Sequence, residues 1–322
     1  MNHRSAEFIA ISKKTVGLLK KRLQVPKDYS IFFISSATEC WEVISQSLIK
    51  TKSIHIHNGA FGEKWFDYTH RLRPNAISIS FPIDQSLNPK ELIYHDGEMI
   101  CITQNETSNG TQVSNKIIAA LKKNNPNHLI AVDATSSMAG ISLEFISADI
   151  WFASVQKCFG LPAGLAIMIC SPRTIKRMEE IDEKSHYNSL SFTKEMMDKW
   201  QTTYTPNVLG IYLLQCAAKK MSTISRVDHL IELRQKKWIK FFRDSKDLQL
   251  LIKNPDAQSK TVIAVKGNPY LISLVKAAAK RKGLLLGEGY GNLKADTFRI
   301  ANFPAIKKSE IEKLMEFLKV YR

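Results

Sequence analysis

The 322-residue sequence contains no apolar run that approaches the length of a membrane span. Its first residues, 1–7, have no signal-peptide core. Five cysteines are scattered along the chain without the pairing typical of metal sites. We therefore expect reduced cysteines in a cytoplasmic protein, with no membrane association and no bound metal.

Acidic residues are scarce, since 30 Asp and Glu face 46 Lys and Arg, which gives a formal charge of +16. A basic chain invites a nucleic-acid interpretation. The excess, however, alternates with apolar residues at helical spacing in segments 13–22 and 236–243, as on a solvated helix face. No DNA or RNA recognition motif accompanies it, so we expect no nucleic-acid partner. The charge instead favours anionic, phosphorylated small molecules.

From about residue 5 to 215, short apolar strands alternate with amphipathic helices. This alternation predicts an α/β fold whose mostly parallel sheet is covered by helices on both faces. A second pattern follows, with two helices from Pro206 onward and then strand, helix, strand and helix. We predict a large domain over residues 1–222 and a smaller α+β domain over 223–322. The strands predicted for the large sheet are Ser30–Ile34, Ser53–His57, Ala76–Ser80, Met99–Thr103, Leu129–Val132, Ile150–Ser154 and Leu165–Cys170.

Two charged residues stand at the ends of buried strands, Asp133 after Leu129–Val132 and Lys157 at the end of 149–157. A solvated lysine and a turn aspartate are the ordinary interpretation of each residue taken alone. Because burying unpaired charges is costly, each residue should have a partner or a function, and one function fits both. The Lys157 amine would form a Schiff base with pyridoxal 5′-phosphate (PLP), and Asp133 would keep the ring nitrogen of PLP protonated.

Other polar or aromatic residues follow neighbouring strands, where α/β sheets bind ligands. Residues 35–38 lie between a strand and a helix, and could bind a phosphate or merely cap the helix. Phe61 could stack on a pyridine ring or belong to the core. Thr107 could bond the phenolic oxygen of PLP or belong to a polar turn. Arg299 could clamp a substrate carboxylate or lie in solvent on an edge strand.

The chain resembles the phosphoserine aminotransferases, class V members of the fold-type I PLP enzymes, along nearly its whole length. Ser154-Val-Gln-Lys157 followed by Gly160-Leu-Pro-Ala-Gly164 is similar to their PLP-lysine segment. Each further motif is weak alone, but the set in order is specific. These motifs are Ser36-Ala-Thr-Glu, Gly59-Ala-Phe-Gly, Asn105-Glu-Thr, Asp133-Ala-Thr-Ser-Ser, Thr205-Pro-Asn and Phe298-Arg-Ile-Ala-Asn302.

The resemblance assigns tasks to individual residues. It implies that the backbone of Ala37 and Thr38, with the Gln156 side chain, holds the cofactor phosphate. It also implies that Thr205, beside Tyr204, reaches that phosphate from a partner subunit, which means a homodimer with shared active sites. The remaining implied positions are Phe61 for ring stacking, Thr107 for the cofactor oxygen, Asp133 for the ring nitrogen, Lys157 for the Schiff base, Arg299 for the substrate carboxylate, and His3 with Arg4 for the substrate phosphate across the dimer.

Two departures from the family concern the substrate. In the family a further segment with a Gly-Pro loop precedes the His-Arg pair, whereas this sequence starts just before His3-Arg4. We expect either an upstream start or a shortened protein. A second His-Arg pair, expected before the last strand, is replaced by Gly287–Lys294. Lys294 is a candidate to replace one positive charge.

These observations predict a PLP-dependent aminotransferase that exchanges an amino group between glutamate and a small 2-oxo acid, by resemblance 3-phosphohydroxypyruvate in serine biosynthesis. One alternative is a class V transaminase for an unphosphorylated substrate such as alanine, serine or glyoxylate. Another is a catalytically silent protein of the same fold that binds a partner through its basic surface. The complete set of cofactor residues argues against the silent protein.

Overall fold

The computed structural model describes residues 2–321. Its helices alternate with strands through the first two thirds of the chain, as predicted. The helices are α1 (Ala6–Leu23), α2 (Ala37–Leu48), α3 (Ala60–Leu72), α4 (Asn115–Asn124), α5 (Pro172–Ile181), α6 (Leu190–Asp198), α7 (Val208–Lys220), α8 (Ile224–Arg243), α9 (Pro269–Arg281) and α10 (Lys308–Leu318). The strands are β1 (Ser30–Ile34), β2 (Ser53–His57), β3 (Ile77–Ser80), β4 (Met99–Thr103), β5 (Asn105–Glu106), β6 (Thr111–Gln112), β7 (Leu129–Asp133), β8 (Ile150–Ser154), β9 (Ala166–Cys170), β10 (Gln249–Leu250), β11 (Val262–Lys266), β12 (Gly287–Glu288) and β13 (Thr297–Ala301).

A seven-stranded sheet in the order β1-β9-β8-β7-β4-β2-β3 forms the centre of the larger part. Strand β9 runs antiparallel to both of its neighbours, and the pairs from β8 through β3 are parallel. Every residue of β2, β4, β7, β8 and β9 is buried, since helices cover both faces of a parallel sheet. The predicted α/β fold with a mostly parallel sheet is confirmed.

A second, antiparallel sheet in the order β10-β11-β13-β12 belongs to the last third of the chain. It has its own apolar core, which includes Trp238 and Phe298. Helix α8 joins the two parts, because its first turn packs against the larger core through Ile224 while Trp238 belongs to the smaller one. The predicted domain boundary between residues 222 and 223 falls just before α8 and stays a prediction.

Most predicted elements agree with the structure within two or three residues, but two details differ. The long helix expected from Pro206 begins at Val208, because the Asn207 side chain accepts a hydrogen bond from Gly210 N (2.8 Å) and caps the helix there. Strand β8 ends at Ser154, so Lys157 lies in the following turn and not on the strand. Helices α5 and α6 were not among the predicted elements.

No helix within residues 2–321 is long and apolar enough to cross a membrane. The same residues contain no group of three or more His, Cys, Asp or Glu arranged to hold a metal ion. All five cysteines are free thiols, four of them buried and Cys216 partly exposed. The cytoplasmic location inferred from the cysteines stays a prediction.

Candidate active site

A cavity of about 290 Å³ opens where the carboxyl ends of β4, β7 and β8 meet the first turns of α2 and α3. Pockets for small ligands start at roughly this size, about 300 Å³. The end of a parallel sheet is the expected place for such a cavity. Its lining residues are Ala37, Thr38, Trp41, Phe61, Lys64, Tyr68, Thr103, Asn105, Thr107, Asp133, Thr135, Ser154, Gln156 and Lys157.

Asp133 forms the floor of this cavity and is 4% exposed. Its Oδ1 accepts a hydrogen bond from Thr135 N (2.9 Å), and its Oδ2 accepts one from Trp41 Nε1 (3.2 Å). Burial raises the pKa of the Asp133 carboxyl to about 6, although both hydrogen bonds favour the charged form. A cation bound against this carboxylate would recover the cost of burying its charge.

Lys157 lies on the cavity wall, in the turn after β8. Burial lowers the pKa of its amine, and the nearby positive charge of Arg299 lowers it further. A lowered pKa increases the neutral, nucleophilic fraction of a lysine. The turn that carries Lys157 continues to Gly160, which has φ 69°. Gly160 approaches Ala305 so closely that a Cβ on the glycine would lie 2.6 Å from the Ala305 Cβ. A residue without a side chain is therefore required where this turn meets the smaller part of the chain.

The first turn of α2 lines another part of the cavity through Ala37 and Thr38. Ser36 caps this helix by accepting a hydrogen bond from Glu39 N (3.1 Å), so the capping interpretation of the serine is correct. Ala37 N donates to Ser154 Oγ (2.9 Å), which joins the helix start to the end of β8. Because a helix N-terminus carries partial positive charge, this end of the cavity favours an anion. Gln156 also faces the cavity, as the resemblance implies.

Phe61 lies in the first turn of α3 and lines the cavity. The buried Glu106 carboxylate holds this helix start by accepting hydrogen bonds from Phe61 N (3.2 Å) and Gly62 N (3.1 Å). Gly59 is needed here, because a Cβ on it would collide with the Glu106 side chain. On its other side Phe61 packs against Tyr290, with ring centroids 5.3 Å apart.

Thr107 and Arg299 meet at the boundary between the two sheets. Arg299 Nη1 donates to the Thr107 carbonyl (2.6 Å), and Arg299 Nε donates to the Glu288 carbonyl (2.7 Å). Thr107 Oγ1 shares a short hydrogen bond with Ser136 Oγ. Strand β13 lies between β11 and β12, so Arg299 is a partly buried residue of an inner strand and not an edge arginine in solvent.

Two buried polar atoms on the cavity wall have no hydrogen-bond partner within the described residues. They are Thr103 Oγ1 and Asn105 Nδ2. Buried polar atoms are nearly always paired, so an unpaired group on a cavity wall points to a polar ligand. With a carboxylate at its floor, a lysine on its wall and an anion-favouring helix start, the cavity fits PLP.

Arg299, at the boundary between the sheets, does not itself line the cavity, and four further residues singled out from the sequence lie elsewhere. His3 and Arg4 precede α1, where Arg4 Nη1 donates a hydrogen bond to Gln201 Oε1 (3.4 Å). Thr205 is exposed, although the neighbouring Tyr204 accepts a hydrogen bond from Ser35 Oγ (3.1 Å) beside the helix start. None of the three lines the cavity of its own chain. The exposed Lys294 lines a separate depression beside α9, so it does not supply the replacement charge that its place in the sequence suggested.

Sequence reasoning missed several lining residues, above all Trp41, Lys64, Tyr68 and Thr135. A signal for two of them was present, since residues 61, 64 and 68 recur at the spacing of one helix face. Trp41 carries no such signal. Its approach to Asp133 depends on how α2 packs against the sheet.

Solved structures and curated relatives resemble this chain along most of its length. A phosphoserine aminotransferase from Cytophaga hutchinsonii is 30% identical, with a TM-score of 0.95 over 99% of this chain and 90% of its own. The phosphoserine aminotransferase of Corynebacterium glutamicum is 25% identical over 94% of this chain and 83% of its own. An alanine–glyoxylate aminotransferase from Nostoc, 16% identical, shares the fold with a TM-score of 0.87 over 100% of this chain and 89% of its own.

The fold is therefore that of the fold-type I PLP-dependent aminotransferases. Residues 1–291 match the family described as aminotransferase class-V, and the chain belongs to that family. The predicted family resemblance and the predicted aminotransferase activity are confirmed. Dependence on PLP is implied by the family.

The raised pKa of Asp133 predicts a pH-dependent loss of stability in the cofactor-free protein. A carboxyl whose pKa rises from 3.8 unfolded to about 6 folded binds its proton more tightly when folded. Its contribution to stability is therefore lost as pH rises from about 4 to about 6, by roughly 3 kcal/mol in total. Urea unfolding of the wild type and of Asp133→Asn should show that the wild-type free energy of unfolding, relative to that of the variant, falls by this amount across the range. If the free energies of unfolding of the two proteins change with pH in parallel, the raised pKa of Asp133 is contradicted.

Proposed function

We propose that this chain transfers an amino group between glutamate and 3-phosphohydroxypyruvate, the reaction that produces phosphoserine in serine biosynthesis, with PLP as cofactor. The observation that supports it best is the placement of Asp133 and Lys157 on one cavity at the ends of adjacent strands. The names of the relatives, phosphoserine aminotransferases from several bacteria, support the substrate.

The cavity residues divide the binding of PLP among them. Ala37, Thr38 and Gln156 would hold the phosphate at the start of α2, Phe61 would stack on the ring, and Thr107 would bond the ring oxygen. Asp133 would keep a proton on the ring nitrogen, which stabilises its own buried charge. When bound, PLP supplies an electron sink that lets the α-proton of an amino acid leave.

Lys157 and Arg299 would act on the amino-acid substrate. The Lys157 amine, which has a lowered pKa, would remove the proton at the α-carbon and return it during the transfer. Arg299 would bind the α-carboxylate with the part of its guanidinium that faces neither backbone carbonyl. One site would serve both amino acids in turn, which gives ping-pong kinetics.

We also propose a homodimer in which each cavity is completed by its partner. His3, Arg4 and Thr205 lie outside the cavity of their own chain, as expected of residues that serve a second subunit. Thr205 would reach the cofactor phosphate, and the His3-Arg4 pair the substrate phosphate.

The second candidate is a class V transaminase for alanine, serine or glyoxylate. The observation that favours it is the position of Lys294, which leaves segment 287–294 without a positive charge in the cavity. This candidate shares the cofactor site and differs only in the substrate.

Replacing Lys157 should abolish both cofactor retention and transamination. Purified wild-type protein should carry the visible absorption of bound PLP, and Lys157→Ala should lose it together with activity, by roughly 10²–10⁴-fold or more. Lys176→Ala, which removes an exposed lysine on α5, is the matched control and should change neither. A wild-type protein that takes up no PLP would reject the proposed function.

Substrate preference separates the two candidates. We expect kcat/KM for O-phospho-L-serine to exceed that for L-serine by roughly a hundredfold, as for loss of a charge-assisted contact worth about 3 kcal/mol. Steady-state kinetics with both amino acids and a common oxo-acid acceptor measure this ratio. A preference for serine would favour the second candidate.

The proposed homodimer is tested by the molecular mass of the protein in solution. Sedimentation equilibrium of the PLP-loaded protein should give twice the chain mass of 36.5 kDa. An active protein that sediments as a single chain would reject shared active sites.

A further inference from the structure

We propose that Lys64, positioned by Tyr290, binds the anionic end of the substrate side chain, the phosphate of phosphoserine and the γ-carboxylate of glutamate alike. This inference rests on the proposed function and names the residue that selects its substrates. Neither residue was singled out from the sequence.

Helix α3 places Lys64 on the cavity side. Phe61, Lys64 and Tyr68 follow one another at spacings of three and four residues, so they share a helix face, and all three line the cavity. Phe61 is the residue expected to stack on the cofactor ring. Lys64 is therefore one helical turn from the ring position, where the side chain of an amino acid bound at the α-carbon would extend.

Tyr290 fixes this lysine from the smaller part of the chain. The Lys64 ammonium donates a short hydrogen bond to the Tyr290 hydroxyl, and the Tyr290 ring also packs against Phe61. An ammonium has three N–H donors, so two stay available after this contact. Tyr290 belongs to segment 287–294, where the His-Arg pair of the phosphoserine aminotransferases is absent.

Within one chain, the charges around the cavity leave Lys64 as the group for a second anion, beside the His3-Arg4 pair proposed to reach the phosphate from the partner subunit. Among the described residues that line it, Lys64 and Lys157 are the cations. Lys157 is needed for the cofactor. Arg299, whose Nε and Nη1 already donate to backbone carbonyls, is the group proposed for the α-carboxylate. A dicarboxylic or phosphorylated amino acid carries one anion more, and an exposed ammonium at the cavity mouth can pair with it.

Lys64 differs from an ordinary surface lysine in its contacts. The Tyr290 ring lies beside it, with Lys64 Nζ 5.0 Å from the ring centroid. Together with the hydrogen bond to the Tyr290 hydroxyl, this contact holds the ammonium at the cavity mouth and lowers the entropy that it loses on binding an anion.

The test compares anionic with neutral amino acids in the PLP-loaded enzyme. Lys64→Met should lower kcat/KM for O-phospho-L-serine and L-glutamate roughly tenfold to a hundredfold, the range for a hydrogen bond to a charged group. L-serine and L-alanine should change less than about twofold, because they lack the second anion. Lys64→Arg should restore most of the loss. The matched control Lys294→Met removes an exposed lysine outside the cavity and should leave all four values unchanged.

An equal loss for charged and neutral amino acids would overturn the proposal, since it would mean that Lys64 only joins the two parts of the chain. So would a wild-type enzyme that transaminates neutral amino acids as well as anionic ones, a result that leaves the aminotransferase activity standing. Absence of any transamination would reject the proposed function itself. Should Lys64→Met fail to fold, Tyr290→Phe removes only the positioning hydroxyl, and the selective loss should then be smaller but of the same kind.

Discussion

The buried carboxylate of Glu106 is the contact on which the rest of the site depends. It is 1% exposed and accepts hydrogen bonds from the backbone of α3 and, on its other oxygen, from Ser108 N (2.9 Å) and Ser108 Oγ (2.7 Å). These partners satisfy a charge that would otherwise be too costly to bury. Because the carboxylate sits at the start of α3, it sets where that helix begins. The position and rotation of Phe61, Lys64 and Tyr68 follow from it.

The fold could be predicted from the sequence because its signals are local. Uninterrupted apolar strands alternating with amphipathic helices leave few arrangements other than a covered, mostly parallel sheet. Parallel strands end at one edge of the sheet, and this rule alone predicts that Asp133 and Thr107 lie on the same side of the molecule. Lys157 belongs with them although it lies in a turn, because that turn directly follows β8.

The rest of the site depends on packing between elements distant in sequence, which periodicity does not report. Trp41 reaches Asp133 across 92 residues, and Tyr290 reaches Lys64 across 226. Position in the sequence was also misleading for Lys294, which lies four residues after Tyr290 but faces α9. Where a residue of the family is absent from this sequence, a residue on another element can take its place. Only the folded arrangement identifies that residue.

The contact of Gly160 with Ala305 has a consequence for how the two parts of the chain work together. The turn that carries Lys157 rests on the smaller part, and the same part supplies Arg299 and Tyr290. With the roles proposed for Lys157 and Arg299, proton transfer and substrate recognition would be mechanically joined. A displacement of the smaller sheet would move the groups that bind the substrate together with the turn of the reactive amine, so a poorly fitting amino acid would be penalised in reactivity as well as in affinity.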